Sequence, residues 1–73
     1  MRTPAINDPV RLLHDVPNLY LQKGDVGVVR AMWFEPTTAY EVEFHPPGLG
    51  QETRTILPAE DIQVTGDERA VGD

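Results

Sequence analysis

Hydrophobic and polar positions alternate most regularly in the middle of the chain. Across residues 40–44, Tyr40, Val42 and Phe44 alternate with Glu41 and Glu43. Successive side chains of a β-strand point to opposite faces of its sheet. The pattern therefore predicts a strand with an apolar face in the core and with both glutamates on a solvated face.

Four other apolar runs have the length of short strands, and Pro and Gly separate them. They lie at residues 10–16, 26–33, 52–57 and 62–64. In the turn at residues 23–25, Gly24 can take a positive φ without steric cost, and Gly27 inside the second run indicates a bend or a close backbone approach. The Pro-rich segment 45–50 cannot continue a ladder, so it is expected to link two strands as a hairpin.

These runs predict an all-β fold. Residues 58–61 are long enough only for one 3₁₀ turn before the last strand. Five short strands with such a turn are typical of a small SH3-like barrel, which we place at residues 8–65. Residues 1–7 are expected to form a flexible N-terminus and residues 66–73 a disordered acidic tail. The alternative is a five-stranded barrel of the oligonucleotide-binding type, which usually has longer strands and an added helix.

Three segments resemble a bacterial family known as domain of unknown function 4926. They read KGDVGVV at residues 23–29, YEVEF at 40–44 and LPAEDI at 57–62, and VRLLHDVP at 10–17 is similar to the opening strand of that family. The resemblance implies a compact SH3-like domain, often cyanobacterial, without an assigned activity or established catalytic residues. The first of these segments is also distantly similar to SH3-like subunits of photosynthetic electron-transfer assemblies and to the ribosomal KOW element.

Composition excludes several classes of function. Six Lys and Arg against twelve Asp and Glu give a net charge of −6, which argues against a nucleic-acid backbone as partner. The chain contains no Cys and no Ser, so thiol and serine nucleophiles are absent and a reducing cytoplasm is the expected compartment. No apolar run approaches the roughly 20 residues of a membrane span. We expect a cytoplasmic protein that is not an enzyme and has no cofactor.

The carboxylates and imidazoles are weak candidates for a site. Glu41 and Glu43 share a strand face about 7 Å apart, as a carboxylate pair acting on a glycosidic bond would require, but solvated acids with Arg54 as a cross-strand partner explain them better. A nitrogen and oxygen metal site would combine ligands from the following set, whose spacing matches no known motif: His14, Asp15, Glu43, His45 and Glu52. We therefore predict no catalytic residue and no metal.

Aromatic and loop residues are the better candidates for a binding surface. Trp33 and Phe34 are consecutive, so in extended backbone they point to opposite faces and at least one is expected to be exposed, although the sequence does not tell which. Tyr20, in the first loop, and Leu49, in the Pro-rich loop, are further candidates.

The preferred function is a non-enzymatic module that binds another protein. The acidic charge favours a basic partner, as for an antitoxin, an immunity protein or an accessory subunit of an assembly. The alternative is a KOW-like nucleic-acid-binding domain that uses Tyr20, Trp33 and Arg30.

Overall fold

Five antiparallel strands form a single sheet in the computed structural model, which describes residues 3–46, 48 and 50–65. The strands are β1 (Pro9–Leu12), β2 (Val26–Trp33), β3 (Ala39–Phe44), β4 (Thr53–Pro58) and β5 (Ile62–Val64). A 3₁₀ turn at Pro17–Leu19 lies between β1 and β2, and another at Ala59–Asp61 immediately precedes β5. The all-β prediction with a 3₁₀ turn before the last strand is confirmed.

The strand order is β4-β3-β2-β1-β5, so β3 pairs on one side with β2 and on the other with β4. Within β3, Tyr40, Val42 and Phe44 are buried, as the alternation predicts. They are joined in the core by inward residues of the other strands and by one loop residue. These are Val10, Leu12, Leu21, Val29, Leu57, Ile62 and Val64.

Gly27 marks a close approach between β2 and β3, as its position inside an apolar strand indicates. A Cβ at this position would lie 2.7 Å from the Glu43 carbonyl oxygen, 2.7 Å from Cγ1 of Val42 and 2.8 Å from Cδ1 of Phe44. Glycine is therefore the residue that lets the two strands pair here. Gly24 in the preceding turn has the expected positive φ of 96°.

The first strand is shorter than the predicted run 10–16. β1 ends at Leu12, and Val16 instead forms an isolated bridge with Leu21. The backbone N–H of Leu13 donates to the Asp61 carbonyl, while the Gly24 N–H donates to the Leu12 carbonyl. These bonds hold the end of β1, and the chain then turns into the segment in which Val16 pairs with Leu21.

The sheet edges are β4 and β5, and closure into an SH3-like barrel stays a prediction because no pairing joins these two strands in the part of the chain described. Asn7 next to β1 bonds through its N–H to the Val29 carbonyl. The predicted tail at residues 66–73 lies outside the described residues. Among the residues that are described, no helix is long and apolar enough to cross a membrane.

Adjacent residues of β4 test the facing of the sheet. Leu57 is buried and Ile56 is 59% exposed, although they are neighbours with side chains of similar size. Leu57→Ala should lower the free energy of unfolding by about 2 to 5 kcal/mol, whereas Ile56→Ala should change it by less than about 0.5 kcal/mol. Urea unfolding measures both. Equal losses would show that the strand does not present one face to the core.

Gly27→Ala tests the close approach of β2 and β3. The added methyl group meets backbone and core atoms that cannot move independently, so we expect a loss of about 1 to 3 kcal/mol in stability. Thermal unfolding followed by circular dichroism measures it, with Val28→Ala as a control at the neighbouring, half-buried position. An unchanged melting temperature for Gly27→Ala would contradict the close packing of the two strands.

Candidate functional site

A network of charged side chains covers one half of the outer face of β2, β3 and β4. We call it the charged network, and it consists of Arg30, Glu43, His45, Glu52 and Arg54. The register places Arg54 on β4 directly opposite Glu43 on β3. The pairing of β2 with β3 shifts between Val29 and Ala31, so Arg30 is the extra residue of a β-bulge. A bulge redirects its extra side chain, and here Arg30 reaches the Glu43 carboxylate.

Glu43 forms hydrogen bonds with Arg30 and His45 and an ion pair with Arg54. Its Oε1 lies 3.1 Å from Nε of Arg30 and 3.3 Å from Nη2 of Arg54, and its Oε2 lies 2.8 Å from Nε2 of His45. Arg54 also donates from Nε to Oε2 of Glu52 at 3.0 Å. Arg54 therefore bridges two carboxylates, and Glu43 is the centre of the network.

The predicted solvated face is wrong for Glu43, which keeps only 7% of its surface exposed. The carboxylate is on the outer face, but the side chains that bond to it also cover it. The expected pairing with Arg54 is confirmed. The hydrogen bond from Arg30 is the largest influence on the pKa of Glu43 and lowers it; burial acts in the opposite direction, while His45 and the charges of both arginines lower it further.

Glu43 is not suited to be the general acid of a catalytic carboxylate pair. A general acid needs a raised pKa, whereas the pKa of Glu43 is lowered and the group stays ionised. The network therefore acts to hold the outer face together.

The residues weighed as candidate metal ligands lie in two separate places. Oxygen and nitrogen atoms of Glu43, His45 and Glu52 lie within 4.8 Å of one another. In the second place, Nε2 of His14 lies 3.8 Å from Oδ1 of Asp61. Oδ1 of Asp15 accepts a hydrogen bond from the backbone N–H of Lys23. A cation at the first cluster would have to displace Arg54, which already bridges the two carboxylates. This arrangement favours an internal ion-pair network over a metal centre.

The other half of the same outer face is apolar except for Glu41. Directly opposed residues share a face, and the register aligns Trp33 with Ala39 and Pro58, and Ala31 with Glu41 and Ile56. We call the five uncharged residues of these two rows the apolar patch: Ala31, Trp33, Ala39, Ile56 and Pro58. Trp33 is 42% and Ile56 is 59% exposed, so the patch presents large apolar surface to solvent.

Both consecutive aromatic residues are exposed. Phe34 follows β2 directly and is 61% exposed. The expectation that at least one of the two aromatics is exposed is met by both, because β2 ends at Trp33 and Phe34 does not continue its alternation into the core.

Tyr20 is separate from the patch. It is 76% exposed and lies in the connection that enters β2 at Val26. Trp33 is at the other end of this strand, about 23 Å from Val26 at the usual rise per strand residue. Leu49 lies outside the described residues. Of the four predicted binding residues, Trp33 lies in the apolar patch and the exposed Phe34 follows it in the chain.

The sequence analysis missed Ile56 and Pro58 as members of this surface. In β4 the inward positions are Thr53, Thr55 and Leu57, so an isoleucine occupies the outward row beside Arg54. Ile56 and Leu57 are adjacent and equally apolar, so the sequence carried no signal for which of the two faces outward.

An open pocket of about 210 Å³ lies at the opposite end of β2. Its walls are Leu21, Asp25, Val26, Phe44, His45 and Pro46. The Asp25 carboxylate is used within its own turn, where Oδ2 accepts a hydrogen bond from the Gln22 N–H. The pocket is therefore adjacent to the charged network and distant from the apolar patch.

Comparison with known protein families identifies a match. A family model described as Domain of unknown function (DUF4926) matches residues 6–48, which include β1, β2 and β3. Neither a curated protein nor a solved structure matches the chain.

Acid unfolding tests the role of Glu43. Because folding lowers the pKa of this group, the folded chain binds fewer protons than the unfolded chain at moderately acidic pH. The resulting stabilisation is complete above the ordinary glutamate pKa and is lost as the pH falls through the lowered pKa. Glu43→Gln should therefore be less stable at pH 7 and should show a shallower loss of stability on acidification.

Urea unfolding between pH 2 and pH 7 measures this difference. Glu60→Gln is the matched control, because Glu60 is an exposed acid in the second 3₁₀ turn. If Glu43→Gln and the wild type lose stability in parallel on acidification, Glu43 does not supply the acid-sensitive contribution.

Proposed function

This chain belongs to the DUF4926 family of domains of unknown function, and we propose that it is a non-enzymatic module that binds another protein through the apolar patch and Phe34. The observation that carries the proposal is the exposure of Trp33, Ile56 and Phe34 at one end of the sheet. Tryptophan and other aromatic residues are enriched among the side chains that dominate binding energy at protein interfaces.

The charge of the chain supports a basic partner. The net charge is −6, and such an excess steers oppositely charged proteins toward the surface before short-range contacts form. Within this class, an antitoxin, an immunity protein that covers a basic active site, or an accessory subunit of a cytoplasmic assembly would each use such a surface.

The position of the patch on three paired strands also supports this proposal. Ala31, Trp33 and Ala39 lie on paired strands, and the ladder continues from β3 to Ile56 and Pro58 on β4. Side chains on a sheet lose less conformational freedom on binding than side chains on a mobile loop, so more of the contact energy remains as affinity.

The nucleic-acid alternative has weaker support. It needs cations that are available to phosphate. Arg30 donates to Glu43 and to Oδ1 of Asn7, while Arg54 donates to Glu52 and forms an ion pair with Glu43. Their use by a nucleic acid would require these internal bonds to break.

Affinity capture tests the proposal with two truncations in the same strand. Immobilised wild-type protein and Val26→Ala, which removes an exposed apolar side chain at the far end of β2, should retain the same partner in stoichiometric amount. Trp33→Ala should reduce its retention by about tenfold or more, as loss of a central aromatic contact does. The retained protein is identified by mass spectrometry.

Circular dichroism must show that the Trp33→Ala variant is folded. A partner retained equally by folded Trp33→Ala would place binding elsewhere on the molecule. Absence of any protein that distinguishes wild type from Trp33→Ala would count against a binding role for the patch.

A further inference from the structure

Glu41 occupies an unusual place at the centre of the apolar patch. On β2 it is opposed by Ala31, and on β4 it is opposed by Ile56. Directly opposed side chains have Cβ atoms about 4.5 to 5.5 Å apart. The carboxylate therefore rises from a surface that is apolar on both flanking strands.

Glu41 makes no hydrogen bond or ion pair with any residue within 3–46, 48 and 50–65. Glu43, two residues further along the same strand face, is bonded to Arg30, Arg54 and His45. Both arginines are already shared with additional acceptors, Asn7 for Arg30 and Glu52 for Arg54. The cations of the outer face are thus committed to the charged network, and Glu41 is left to water.

A protein that covers the apolar patch removes this water. An ionised carboxylate that loses its hydration without gaining a partner is strongly unfavourable. The binding partner must therefore bring hydrogen-bond donors to the position of Glu41, and a cation meets this need best because it also neutralises the charge. An uncharged apolar partner that covered Trp33 and Ile56 would leave the Glu41 carboxylate without water and without a hydrogen-bond donor.

The position of Trp33 favours arginine as that cation. Trp33 is the diagonal neighbour of Glu41 across the β2–β3 pair, a relation that places Cβ atoms about 7 to 8 Å apart. A guanidinium group is planar, stacks on an indole ring and directs several N–H groups at a carboxylate in one plane. A lysine ammonium group is compact and strongly hydrated, so it forms a less favourable contact with the indole ring.

We propose that the partner of the apolar patch inserts an arginine that stacks on Trp33 and pairs with Glu41. This inference rests on the proposed function, since it specifies the chemistry of the partner at the same surface. The charge of −6 adds a longer-range attraction for a segment that carries such a residue.

Because the partner is unidentified, a random peptide library displayed on phage serves as the probe. Peptides are selected on the immobilised wild-type domain, and those that fail to bind folded Trp33→Ala are kept as ligands of the patch. We expect these peptides to share an arginine. Selection on Glu41→Gln should yield patch ligands without that preference.

A selected peptide is then compared with its citrulline analogue, which keeps the shape of arginine but not its charge. Trp33 is the only tryptophan of the chain, so its fluorescence reports binding at this surface. Citrulline and Glu41→Gln should each weaken binding by about tenfold or more, and the two changes together should cost little more than one. Glu60→Gln removes the same charge outside the sheet and should change the affinity less than about twofold.

The outcomes separate the two proposals. Peptides that require Trp33 but lack arginine, or that bind Glu41→Gln as tightly as wild type, would overturn the arginine assignment and leave the patch as a binding surface. A selection that yields no ligand dependent on Trp33 would overturn the proposed function and the arginine assignment with it.

Discussion

The alternation of β3 is the constraint on which the rest of the structure depends. This strand has neighbours on both sides, so its inward residues Tyr40, Val42 and Phe44 are surrounded by β2 and β4 and form the centre of the core. The same alternation forces Glu41 and Glu43 outward. A shift by one residue would exchange the two sets and bury both glutamates in place of the aromatic side chains.

The two outward glutamates differ because their neighbours across the sheet differ. Glu43 faces Arg54 on β4 and receives Arg30 from the bulge in β2, so it becomes ionised, bonded and covered. Glu41 faces Ala31 and Ile56 and keeps its carboxylate for water. Glu41 and Glu43 are two residues apart on the same face of β3, yet Glu43 stabilises the sheet and Glu41 remains an available surface charge.

The sequence predicted the strands, the turn at Gly24 and the close approach at Gly27, because alternation and glycine have local physical causes. It did not predict the burial of Glu43, which depends on an arginine redirected by a bulge and on the register of β4. The exposure of Ile56 was missed for the same reason. Neighbouring Ile56 and Leu57 are equally apolar, so only pairing with β3 decides which one faces the core.

The division of the outer face has a consequence for specificity. The charged network satisfies its own groups, so a partner gains little by contacting it and must break existing bonds to compete. The apolar patch offers contact area but contains one acid that has to be neutralised when water leaves. Neutral and acidic partners are therefore penalised at the surface where contact is otherwise most favourable. If the patch binds a basic protein as proposed, discrimination comes from the cost imposed on neutral and acidic proteins as much as from attraction to the basic one.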